Sequence, residues 1–70
     1  MNIVMQRDNE RRRVVVDGRR TDDGTRCALV VIHERNGNWA LYPHGADQLG
    51  VRIPGKDVLA LGRIIVAEEP

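Results

Sequence analysis

Residues 26–42 read RCALVVIHERNGNWALY, two runs rich in β-branched and aromatic residues on either side of Asn36 and Gly37. No other stretch restricts the fold as much, because Asn-Gly between apolar runs is the strongest short-range signal for a β-hairpin. Both residues tolerate the positive φ of a two-residue type I′ turn, and such a turn fixes which residue faces which. The expected register sets Arg35 opposite Asn38, Glu34 opposite Trp39, His33 opposite Ala40, Ile32 opposite Leu41 and Val31 opposite Tyr42. Alternation then puts Ala28, Val30, Ile32, Glu34, Trp39 and Leu41 on one face, and Leu29, Val31, His33, Ala40 and Tyr42 on the other. Both faces are largely apolar.

The flanking segments add strands and a helix. Residues 1–10 carry a short apolar alternation and then polar residues, an edge strand or a flexible arm. Residues 11–17, RRRVVVD, form a better strand, with Arg13 and Val15 pointing opposite to Val14 and Val16. Residues 18–25, GRRTDDGT, read as a mobile loop that presents Arg19 and Arg20, with Asp23-Gly24 a second turn signal. After the hairpin Pro43 and Gly45 are expected to end the ladder, and residues 48–53 alternate as a half-buried strand with Leu49, Val51 and Ile53 on one face. Pro54-Gly55 stops that strand, and Asp57 stands in the first turn of a C-terminal helix, where a carboxylate suits the positive pole. A rival reading makes residues 63–67 a last strand; the helix is preferred. The fold class is α+β: one domain over residues 1–70, an antiparallel sheet of about four strands followed by one helix, ββββα.

A chain of 70 residues buries only ~60% of its unfolded surface, so it needs good packing or a partner. Phe is absent, and the core is left to Val, Ile and Leu. On the expected helix Val58, Leu61 and Ile65 form the centre of an apolar stripe flanked by Leu59, Val66 and Ile64. That arc covers roughly twice the ~100° that a surface helix needs. A homo-oligomer is therefore expected, most simply a dimer, with Val58, Leu59, Leu61, Ile65 and Val66 in the interface. The alternative is an N-terminal segment folded over the second sheet face within one chain.

Chemistry is sparse. There are two His, one Cys and no Ser, and the hydroxyls of Thr21 and Thr25 lie in a polar loop without a nearby base. Cys27 and His33 sit ~20 Å apart along one strand, too far for a dyad. His33, His44, Cys27 and Asp47 offer no recognised metal spacing, and the glycines form neither a dinucleotide fingerprint nor a phosphate loop. No enzyme, no metal and no cofactor is expected. A lone cysteine suits a reducing cytoplasm, and no apolar run matches a signal peptide or a membrane span, so a cytoplasmic protein without membrane contact is expected.

Two binding readings follow from the charge. The net charge is only +1, low for a duplex-DNA binder, yet residues 1–26 hold seven Arg against five acidic residues. Arg11, Arg12, Arg13, Arg19 and Arg20, with Arg7, mark a basic edge for phosphates, and Trp39 or Tyr42 offers a platform for an unpaired base. The bland alternative pairs these arginines with Asp8, Glu10, Asp17, Asp22 and Asp23. In the second reading an exposed apolar sheet or helix face binds a protein partner.

The segment LVVIHERNGNWALYPHGADQLGVRIPGKDVLAL resembles the transcriptional-coactivator type of single-stranded-DNA-binding domain, the positive-cofactor-four family. The likeness lies in the order of strands, the Pro- and Gly-containing loop after the hairpin, the short strand at residues 50–53 and the closing helix, over residues 26–68. It implies dimerisation through the helix and one sheet face, with unpaired nucleic acid bound on the other. The family's lysine-rich strands are apolar here. WALYPHG and the following LGV are also similar to small uncharacterised domains of high-GC Gram-positive bacteria and their phages, which implies no activity.

Overall fold

The computed structural model describes residues 9–69. Four strands, β1 (Glu10–Val16), β2 (Leu29–Glu34), β3 (Trp39–Pro43) and β4 (Val51–Ile53), form one antiparallel sheet in the order β1-β2-β3-β4. A 3-10 turn at Asp47–Leu49 precedes β4, and helix α1 (Gly55–Glu68) follows it. The ββββα plan expected from the sequence is the plan of the protein. The edge strand or arm expected at residues 1–10 falls, but for Asn9 and Glu10, outside the described residues. No helix among the described residues is long and apolar enough to cross a membrane.

The central hairpin forms where Asn-Gly indicates, with a different turn. His33 pairs with Trp39, Ile32 with Ala40, Val31 with Leu41 and Val30 with Tyr42, one residue out of the expected register. Gly37 alone takes a positive φ, +93°, and Asn36 does not, which rules out a type I′ turn. Gly37 N donates to Glu34 O at 3.0 Å, and Glu34 N donates to Asn38 O at 2.8 Å, closing a three-residue loop with a left-handed glycine. Asn36 contributes through its side chain, whose Oδ1 accepts from Asn38 N at 3.0 Å.

A one-residue slip moves side chains across the sheet. Trp39 and Leu41, expected on the face of Glu34, now lie on the opposite face with His33 and Val31. One face carries Val30, Ile32, Glu34, Ala40 and Tyr42, with Arg13 and Val15 from β1 and Arg52 from β4. The other carries Val14, Val16, Leu29, Val31, His33, Trp39, Leu41, Val51 and Ile53. Of the described residues, Val30 (2% exposed), Ile32 (1%) and Glu34 (3%) are buried, all on the first face. The Glu34 carboxylate is held there by Arg52, whose Nε reaches Oε1 at 3.0 Å and whose second nitrogen reaches Oε2 at 3.0 Å, and by Asn9 Nδ2 at 3.2 Å. This contact raises the Arg52 guanidinium further above its already high pKa.

Other local expectations shift in smaller ways. Residues 18–25 form the closed tip of the β1–β2 ladder: Arg19 bridges Arg26, Arg20 N donates to Thr25 O, and Cys27 N donates to Gly18 O. Pro43 belongs to β3, and His44 N donates to Ala28 O beyond it, so the ladder outlasts the proline. Leu49 lies in the 3-10 turn, and the strand expected over residues 48–53 shrinks to three residues. Residues 63–67 are helical. The helix itself buries no residue. It starts against the hairpin tip, where a Cβ on Gly55 would come within 2.5 Å of Gly37 O.

Two outcomes test this account. Gly37→Ala forces an alanine into the left-handed region at a cost of about 1–2 kcal/mol, and the thermal midpoint should fall by roughly 5–15 °C. Arg52→Ala leaves a buried carboxylate without its cation, so the urea midpoint should drop.

Candidate functional site

The open face of the sheet is ordered in rows across the strands. Arg12, His33, Trp39 and Ile53 make one row, Val14, Val31, Leu41 and Val51 the next, and Val16, Leu29 and Pro43 the third. His33 and Trp39 stack with ring centroids 4.4 Å apart and planes 13° from parallel. Val14, Val16, Leu29 and Val51 are exposed, so the face is apolar and open to water.

Trp39 also forms one wall of a groove of about 680 Å3 whose other wall is α1, through Gly55, Val58, Leu59, Gly62, Arg63, Val66 and Ala67. Of the helix positions expected in a dimer interface, Val58, Leu59 and Val66 line this groove. At 100° per residue Leu61 stands about 100° around the helix from Gly62, and Ile65 about 60°, beside Val58. Leu59, Leu61, Ile64, Ile65 and Val66 are all exposed, Val66 most of all at 72%.

The residues expected to meet nucleic acid do not gather on one surface. Arg12 and Trp39 lie on the open face; Arg13 and Tyr42 lie on the face that holds the buried residues; Arg19 and Arg20 stand at the far end of the ladder. Several are already engaged. Arg13 donates to both Glu10 oxygens at 2.9 and 3.2 Å, and these bonds raise its pKa. Arg20 donates from Nε to Asp22 Oδ1 at 2.9 Å, which raises the guanidinium and holds the Asp22 carboxyl below its usual range. Arg19 donates to Gly24 O at 3.0 Å. Arg11 and Arg12 are exposed and make no ion pair with another described residue.

Sequence reasoning did not anticipate the His33–Trp39 stack or the groove beneath it, because the type I′ register paired His33 with Ala40 and Trp39 with Glu34. A second groove, of about 650 Å3, lies at the opposite end of the sheet and is bordered by Val16, Arg20, Cys27, Leu29, His44 and Leu49 among others. The Cys27 thiol there sits 3.7 Å from Ala28 O. Among the described residues no three His, Cys, Asp or Glu side chains gather where they could hold a metal ion. Comparison with protein families, curated proteins and solved structures finds no significant match to this chain.

Proposed function

We propose that this chain is a non-catalytic binding module that works by protein–protein contact through the open apolar face of its sheet and through α1. One observation carries the reading: Val30 and Ile32 are the large apolar side chains that the described residues bury fully, whereas eleven others are exposed. Covering half-exposed Val, Leu and Ile side chains contributes roughly 0.8–1.5 kcal/mol each, scaled from the full-burial value. Exposed arginine pairs contribute ~0.2–1 kcal/mol and are weakened by salt. The apolar surface is thus the larger source of binding energy, and an apolar expanse of this kind on a small domain marks an interaction surface.

Nucleic-acid binding is the second reading, favoured by Arg11 and Arg12 on the free edge of β1, with Arg12 in the row of the stacked His33–Trp39 pair. Its support is narrower, since Arg13 and Arg20 already pair with carboxylates.

The two readings separate in one set of measurements. An apolar fluorescent dye, used as a probe of the open face, should bind the protein with little change between low and high salt. Val51→Lys, at an exposed position, should reduce that binding while changing stability by no more than about 0.5 kcal/mol. Labelled single-stranded and duplex oligonucleotides should bind weakly. Tight oligonucleotide binding that falls steeply with salt and is lost in Arg11→Ala/Arg12→Ala would replace the protein-binding reading with the nucleic-acid one.

A further inference from the structure

We infer that a second copy of this chain seats its α1 antiparallel in the groove between Trp39 and α1 of the first, the two helices crossing at Gly62. The inference rests on the reading of the apolar surface as an interaction surface, and it names the occupant of one part of it.

Eleven large apolar side chains among the described residues are exposed, five of them on α1, and a second copy is the occupant that covers the same patch on both chains at once. With two fully buried apolar side chains among the described residues and none of them on α1, the helix lacks the packing by which helices in proteins are held.

One wall of the groove is α1 itself, 14 residues and ~21 Å long, so a helix of the same length spans the same groove. The face of α1 toward the groove carries Val58, Leu59 and Val66 around Gly62, with Arg63 beside them. A Cβ on Gly62 would meet nothing within 4 Å inside the chain. Glycine in a helix interior costs about 1 kcal/mol relative to alanine, and no contact within the described chain calls for it. A helix laid across that point gives it a use, because the missing side chain lets two backbones approach.

Lys56 and Glu68 each stand six residues from Gly62, so an antiparallel pair centred there brings the Lys56 end of one helix level with the Glu68–Glu69 end of the other. Lys56 and Asp57 pair with each other at 3.4 Å and cancel, which leaves the positive pole of the first turn beside the acidic last turn of the partner copy. A parallel pair would set like ends together. Ile64, on the far side of α1, and Leu61, about 100° from Gly62, stay open for a different protein, whereas Ile65, about 20° from Val58, borders the pairing.

Sedimentation equilibrium and the emission of Trp39, the single tryptophan, test the arrangement together. The full chain should be a dimer that dissociates on dilution with a red shift in Trp39 emission. Gly62→Leu removes a helix-weakening glycine and meets open space within the chain, so each copy should keep its helical circular dichroism while association weakens about tenfold or more. Ile64→Lys, on the far side, should leave the dimer intact. A chain that is monomeric at about 1 mM overturns the inference. So does a dimer that Gly62→Leu does not weaken, or whose Trp39 emission ignores dilution. Dye binding sensitive to Val51→Lys would in those cases still uphold the sheet face as an interaction surface, whereas loss of both would end the protein-binding reading.

Discussion

The left-handed backbone at Gly37 decides how this small sheet divides its side chains. Because side chains alternate with a period of two, a three-residue loop and a two-residue loop at the same Asn-Gly pair give opposite partnerships across the hairpin. With three residues, Glu34 faces the side of Val30 and Ile32, where Arg52 reaches it, and Trp39 faces the other side, where His33 stacks on it. The same loop receives Gly55, so the starting point of α1 depends on it as well. Register, core and helix position are thus three consequences of one turn.

Placing a carboxylate among the buried residues constrains the fold in return. Glu34 is satisfied only if β4 lies beside β3 in the register that brings Arg52 alongside Ala40, and only if Asn9 approaches from the start of β1. Arg52 is largely exposed, so the pair adds little stability of its own. Its effect is selective: a slipped β4 would leave a buried charge without a partner, and that penalty exceeds what the pair contributes. A three-residue strand with so few ladder bonds gains definition from such a contact.

Much of this architecture was legible in the sequence. The triple valine of β1, the paired runs of β2 and β3, and the wide apolar arc of α1 each left a local signal, and the element order followed from them. The register did not, because Asn-Gly is compatible with two turns and the choice rests on Asn36 using its side-chain oxygen in place of its tolerance for positive φ. Leu49 kept the period of a strand yet lies in a 3-10 turn, since the chain turns at Gly50 to meet β3, where a Cβ would crowd Asp47 O, Leu41 O and Tyr42 Cβ. At the candidate site, the apolar helix positions were visible from periodicity alone. The groove with Trp39 was not, because it exists only in the shifted register.

The arginines acquire a different meaning in this setting. β1 is an edge strand with three exposed valines, and a flat apolar edge invites pairing with other chains. Its first half carries Arg11, Arg12 and Arg13, and the register shifts between Glu10 and Arg12, so charge and a bulge guard the part of the edge nearest the hairpin tip. That end of the sheet also holds Trp39 and the start of α1. An unguarded edge there would recruit strands from other chains beside the groove, and edges next to exposed apolar surface are the ones that need to be made unattractive. If the apolar surface is the interaction surface proposed above, the arginine-rich run serves its specificity by keeping the neighbouring edge unpaired.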